Sequence, residues 1–416
     1  MSERLRQVLG AARTWAATGV LVAFLGIVLV SPPIIFIGAA IVLVRLLAEI
    51  WPRDVLESLE VTHAIQPDRT VVGEEVELTV SVWNRTRLPV AWAGATDAVG
   101  PGLRIPGADE GVNSIGVAGP LRPFERLTRR VRLVPVRRGV HDVGPVRLRV
   151  AEVFGSHEPS RDPGMEHARV IARPLMAPVV GTLPASAPLA QARARRSLFT
   201  DPTLFAGTRP FQTGDPVRSI HWRASARAGT LQAKRFEPAL SRQALLVLDI
   251  QTIEGAYWLL AYDEPLFEDL CVAALSVARS MVTDETAVGF AAAGFTGTTQ
   301  RYVFLPPRAD WTQVSRIGDA LARLGIECSA PLTTLLAWLP RRVTRGSTFV
   351  VLTGRSPVSN LAVTRRLQQS GFNVHFLVMP SAHESIAESR AAGLSVRRVF
   401  VEREKEVPRA VVVAAA

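Results

Sequence analysis

Over most of its second half the chain alternates strand-like and helix-like segments, and that pattern leaves few folds open. From Ala244 to Ile250 it reads ALLVLDI, a continuous apolar run with Asp249 near its end. PLFEDLCVAALSVARSMVT at 265–283 is an amphipathic helix; TAVGFAAAG and RYVFLP read as strands, and DWTQVSRIGDALARLG as a helix opened by Asp310. STFVVLTG, FNVHFLVMP and SVRRVFV read as further strands, separated by the helices VSNLAVTRRLQQSG and SAHESIAESRAAG. Buried parallel strands read as unbroken apolar runs, and helices between them cover both faces of the sheet. The pattern predicts an α/β domain over 241–405 with a doubly wound, mostly parallel sheet, then a short C-terminal tail at 406–416. Ligands of such sheets sit at the carboxyl ends of the strands.

The front of the chain reads differently. TWAATGVLVAFLGIVLV, from Thr14 to Val30, carries no charge, and IIFIGAAIVLVRLLAEI follows Ser31-Pro32-Pro33, apolar until Arg45 and Glu49. Each run is near the lower length limit for a membrane-crossing helix. Proline cannot donate the helical hydrogen bond, so Pro32 and Pro33 stop one helix and start the next. The prediction is an N-terminal tail at 1–13 and a transmembrane helical hairpin at 14–50. A signal peptide fits less well, because no A-x-A-like cleavage site leads to a polar start. Arg4, Arg6 and Arg13 precede the hairpin and Arg45 and Arg53 lie at its end, so the positive-inside rule places both ends in the cytoplasm. The expected location is the bacterial cytoplasmic membrane, with two helices in the lipid bilayer and the remaining domains in the cytoplasm. Cys271 and Cys328 form neither a CxxC pair nor a zinc set, which suits a reducing compartment.

Between 55 and 175 the period falls to two. Val76, Leu78, Val80 and Val82 alternate with Glu77, Thr79 and Ser81, and Leu127, Val131, Leu133, Val146, Leu148 and Val150 continue the pattern around a Gly139 turn. Short strands punctuated by Gly and Pro predict an antiparallel β-sandwich, an architecture suited to a spacer or adaptor. A linker rich in Pro, Ala and Arg is expected at 176–208.

The segment 209–240 is the most distinctive. GDPVRSIHWRASARAGTLQAKRFEP sets Arg218, Arg223, Arg227, Lys234 and Arg235 around Trp222, opposed by Asp215 and Glu237. Asp215-Pro216 is a helix-start signal, Val217, Ile220 and Ala224 form one apolar stripe, and Gly229 ends the helix before an extended TLQAKRFEP. The net charge of +11 comes mostly from arginine, and by itself it does not select nucleic acid as the partner. Three uses of the cations stand open. They can clamp the segment structurally, with Arg227 and Arg235 paired to Asp249, Glu237 or helix carbonyls. They can dock an acidic partner. They can track phosphates with Trp222 stacked on a base, although no recognised nucleic-acid module is visible, so no nucleic acid is expected.

Catalysis finds little support. His221 and Ser225 lie one helical turn apart and Asp215 is used as a cap, whereas a nucleophile, base and orienting group converge from separate elements. There is no G-x-S-x-G elbow and no GxxxxGK[ST] phosphate loop. Cys271 reads as a small buried hydrophobe, Cys328 as a loop thiol without an adjacent His, and His375 as a satisfied core residue. The expectation is a protein that is not an enzyme.

Gly214, Asp215, Arg218, Ile220, Trp222, Ser225, Ala226 and Arg227, with VRRGVHDVGPVRLRVAEVFG upstream, resemble the domain of unknown function 58 family. The resemblance implies a membrane-anchored protein with a von Willebrand factor A-like domain and a MoxR-type AAA+ ATPase as partner. It also implies that Trp222 anchors its helix on the sheet. Related domains hold Mg²⁺ through Asp-x-Ser-x-Ser and later Thr and Asp residues, because that ion needs converging oxygen donors. Here Asp249 is present, but Gln251 and Ile253 replace the serines, Gly354 follows Thr353 where an Asp is expected, and Thr333 or Thr334 matches only loosely. Asp249, Gln251 and Thr353 therefore mark a degenerate site, and no metal or other cofactor is expected. The reading is a scaffold or adaptor working with a MoxR-type ATPase in assembly or quality control of envelope complexes. The interaction motif is Gly214, Asp215, Arg218, His221, Trp222, Arg223, Ser225 and Arg227. A basic nucleic-acid-binding protein and a hydrolase or ligase with an unrecognised site are the alternatives.

Overall fold

The computed structural model describes residues 17–109, 112–151, 160–183, 200–212, 217–238, 243–256, 258, 262–297 and 300–415. The chain divides into two compact units, Met1–Arg173 and Pro174–Ala416.

The first unit opens with helices α1 (17–28) and α2 (Pro32–Ser58). Their junction is tight: the Ser31 amide donates to the Gly26 carbonyl at 2.9 Å, and a Cβ on Gly38 would collide with the Ala23 backbone. Crossing a membrane takes about 20 apolar residues over about 30 Å. α2 is 27 residues long, but Arg45, Glu49, Arg53, Asp54 and Glu57 interrupt its second half. Among the described residues, no helix is long and apolar enough to cross a membrane. The transmembrane hairpin, the fold class headed by it and the placement at the bacterial cytoplasmic membrane are corrected accordingly. The second apolar run does not stop at Ile50. It continues as one helix into the next strand, and Val55 and Leu56 in its last turns are buried among strand residues.

The strands of this unit are β1 (Leu59–Gln66), β2 (Arg69–Val71), β3 (Val76–Asn84), β4 (Val90–Val99) and β5 (Leu103–Arg104). They continue as β6 (Ser114–Leu121), β7 (Arg126–Pro135), β8 (Gly139–Ala151), β9 (Ser160–Arg161) and β10 (Ala168–Arg173). One sheet has the order β1-β3-β7-β5 and the other β2-β10-β8-β4-β6, with β9 paired to β8. Val76, Leu78, Val80 and Val82 of β3 point inward and Glu77 outward, as period two requires. Residues from both sheets, among them Leu78, Val80, Ala95 and Leu148, meet in one core.

The second unit comprises β11 (Val179–Gly181), β12 (Thr200–Pro210), α3 (Trp222–Ala228), β13 (Gln232–Pro238), β14 (Gln243–Leu248), α4 (Glu264–Thr283), β15 (Ala287–Ala292) and β16 (Val303–Arg308). It continues with α5 (Trp311–Arg323), α6 (Leu332–Trp338), β17 (Thr348–Thr353), α7 (Leu361–Gln369), β18 (Asn373–Val378), α8 (Ile386–Ala391), β19 (Ser395–Glu404) and β20 (Val407–Ala415). Eight strands form one sheet in the order β11-β20-β19-β18-β17-β14-β15-β16. β15, β14, β17, β18 and β19 run parallel, while β16 and β20 add antiparallel. Side chains of β14 alternate between two cores. Leu246 and Leu248 pack with α4 and α5 on one face, and Leu245 and Val247 pack with α6, α7 and α8 on the other. Asp263 and Asp310 cap α4 and α5 by accepting from the Leu266 and Gln313 amides.

Two expected boundaries change. Residues 407–415 are a sheet strand rather than a tail, and 179–181 pair with it. The expected linker also contains the start of β12, which pairs with β13 in a separate two-stranded sheet. The rest of that linker, 184–199, lies outside the described residues.

Candidate functional site

Strand order reverses beside β14, with β15 on one side and β17 on the other. Such a switch point leaves a crevice at the strand ends. Asp249 follows β14 there, its amide donating to the Leu352 carbonyl of β17. Its side chain is buried. The Thr353 hydroxyl donates to Asp249 Oδ2 at 2.9 Å, and Arg355 Nη2 donates to Oδ1 and Oδ2 at 3.2 and 3.0 Å. Arg355 Nε donates to the Gln251 carbonyl at 3.0 Å, and its Nη1 lies 3.9 Å from Glu254. Burial pushes the Asp249 carboxyl up from its ordinary range, while the Arg355 charge, the Thr353 hydroxyl and the Gln251 amide pull it back.

The structure thus joins two of the three degenerate-site residues and separates the third. Asp249 and Thr353 meet; the Gln251 side chain turns away, donating to the Ile253 and Gly255 carbonyls of its own loop. Sequence reasoning missed Arg355, whose guanidinium takes the cation's place on Asp249. These residues do not fit a divalent ion, because both carboxylate oxygens already bind an internal cation that is itself only 9% exposed. The signal was an arginine two residues past a strand whose end lacks the expected carboxylate. Arg355, and not Arg227, is the partner of Asp249 among the described residues; the Arg235 side chain lies outside them. Cys328 is near enough to feel both charges; burial pushes its thiol up, and the thiol donates to the Ala330 carbonyl. That is the setting of an inert thiol.

The second constellation is a clip made by α3 and β13. Residues Val217–Ser219 form a single 3₁₀ turn and α3 starts only at Trp222, so the expected continuous helix from Asp215 is broken at Ile220 and His221. Gly214 and Asp215 lie outside the described residues. The cap is His221, whose Nδ1 accepts from the Ala224 amide at 3.1 Å. The His221 amide donates to the Gln232 carbonyl at 2.7 Å, and Ile220 bridges Ala233. The Ser225 hydroxyl donates to the His221 carbonyl at 3.1 Å and accepts from the Gln232 amide at 2.8 Å. Gly229 ends the helix with φ of 67°, a left-handed conformation that costs glycine little. His221 and Ser225 therefore build the turn and are not arranged as base and nucleophile.

What the clip displays is different. Arg218, Arg223, Arg227 and Lys234 are exposed, and among the described residues none has an ion-pair partner. Trp222 is 66% exposed, and Val217 and Leu231 of the same segment are exposed too. The expectation that Trp222 anchors the helix is corrected: buried Ile220 does so, and the indole faces outward.

Residues 207–356 match the family described as Protein of unknown function DUF58. That stretch contains both the clip and the Asp249–Arg355 pair. The Uncharacterized protein YeaD of Bacillus subtilis (strain 168) is 22% identical over 255 residues, which cover 58% of this chain and 57% of the relative. The match thus spans little more than half of that relative's length. Among solved structures, the CARDB domain of the PF1109 protein from Pyrococcus furiosus covers 28% of this chain and 94% of its own, at 16% identity and a TM-score of 0.18. A non-cellulosomal cohesin from Archaeoglobus fulgidus covers 27% and 91%, at 13% identity and a TM-score of 0.19. At such scores the likeness carries no argument about fold or function.

Proposed function

We propose that this chain is a non-catalytic adaptor and that the α3–β13 clip is its docking face for an acidic surface on a MoxR-type AAA+ ATPase. One observation carries the reading: four exposed cations, without ion-pair partners among the described residues, are displayed with an exposed tryptophan on a backbone fixed by His221, Ser225 and Gly229. Unpaired exposed charge supplies orientation and on-rate at an interface, and an exposed aromatic supplies an anchor. The doubly wound sheet with Asp249 after its first parallel strand supports a von Willebrand factor A-like assignment for the second unit. The Arg355 pair supports a version of that domain working without metal. Its setting is the assembly or quality control of envelope complexes.

Affinity capture of the full chain at native expression tests the reading. An ATPase of this type is expected among the captured proteins and is expected to be depleted when Arg218 and Arg223 are changed to Glu. Capture without any ATPase would refute the assignment of the partner.

A further inference from the structure

His63 sits on β1 of one sheet and Asp97 on β4 of the other, so contact between them spans the sandwich interior. The His63 side chain is 4% exposed and that of Asp97 is fully buried. His63 Nδ1 lies 3.1 Å from Asp97 Oδ1, and Nε2 lies 2.7 Å from the Glu166 carbonyl, in the segment that leads into β10. Both partners are acceptors. A neutral imidazole has one N–H and can satisfy only one of them; an imidazolium donates to both. Asp97 Oδ2 is buried with no partner among the described residues, so the carboxylate depends on His63 for its counter-charge.

We propose that His63 is a proton-dependent clasp, closed while the ring is doubly protonated, that ties the two sheets of the sandwich to each other and to the Glu166 segment. The titratable and charged groups on the surrounding elements are Asp97 on β4, Glu166 and His167 before β10, Arg169 and Arg173 on β10, His141, Asp142, Arg147 and Arg149 on β8, Glu77 on β3 and Glu60 on β1 itself, with Arg169 paired to Asp142. β3 opposes His63 with Val80. The hydrogen bond to Asp97 raises the imidazole pKa, burial lowers it, and the Glu166 carbonyl and the Asp97 charge raise it further, with a net rise. For a group whose folded pKa is raised, the stabilisation is complete below the unfolded value, about 6.5, and is lost as pH rises through the folded value. Loss of the proton breaks one of the two bonds and leaves Asp97 buried without a counter-charge, which is costly.

The test is a pair of measurements on the full chain. Histidine Cε1–H resonances are titrated by NMR, with His63 assigned from the signal lost in His63→Gln. Urea unfolding of wild type and His63→Gln is followed from pH 6 to 9. His63 is expected to titrate above about 6.5, and the stability advantage of the wild type is expected to shrink steadily as pH rises. A His63 that titrates at or below that value, or an advantage that does not change with pH, would overturn the proposal. Should His63→Gln fail to fold, assignment through the resonance moved by Asp97→Asn leaves the wild-type titration to decide alone.

Discussion

Arg355 crosses the switch point between β14 and β17 to hold both carboxylate oxygens of Asp249, at 3.2 and 3.0 Å. An arginine here does structurally what a bound cation does elsewhere, and it does so without exchange. Removing one member of a buried pair strands the other, at a cost of about 3–5 kcal/mol, whereas replacing both with apolar side chains is often close to neutral. Arg355→Met is therefore expected to lower stability by about that much, and Asp249→Leu with Arg355→Met to recover most of it. Urea unfolding of the two single variants and the double variant checks this; additive losses would show that the pair is not coupled.

Divalent cations should leave the wild-type protein unaffected. Thermal unfolding in millimolar Mg²⁺ is expected to match unfolding in chelator. A saturable rise in Tm that Asp249→Asn abolishes would contradict the placement of Arg355 on the carboxylate.

Ser225 holds the clip closed through the Gln232 amide. Ser225→Ala removes that acceptor and is expected to cost about 1–2 kcal/mol locally. Amide exchange at Gln232 should then quicken about tenfold while the β14 and β17 amides keep their protection. Unchanged exchange at Gln232 would mean that the clip is held by other contacts.

The legibility of the chain followed the range of the interactions. Period two in β3 and the apolar runs of β14, β17 and β18 are local properties and could be read directly from Val76–Val82 and Ala244–Leu248. The pairing of β20 between β11 and β19 joins segments more than 200 residues apart, and no local period announces it. Arg355 escaped notice for the same reason, being 106 residues from Asp249. The hairpin was misjudged because apolar content was read without following α2 to its end, where Val55 and Leu56 enter a core. The anchoring role of Trp222 came from the family resemblance alone, and the local sequence carries no sign that the smaller Ile220 is the buried residue and the indole the exposed one.

The claim that the clip is a docking face is tested most directly by titrating a purified MoxR-type ATPase, the proposed partner, with the full chain and with the triple variant Arg218→Glu, Arg223→Glu and Arg227→Glu. At about 0.1 M salt, where screening extends over about 10 Å, the variant is expected to bind at least about tenfold more weakly, a loss of about 1.4 kcal/mol. Wild-type affinity should fall as salt rises, with less change for the variant. Equal affinities for two well-folded proteins, with no difference in salt dependence, would contradict the assignment and leave the exposed cations without a binding role.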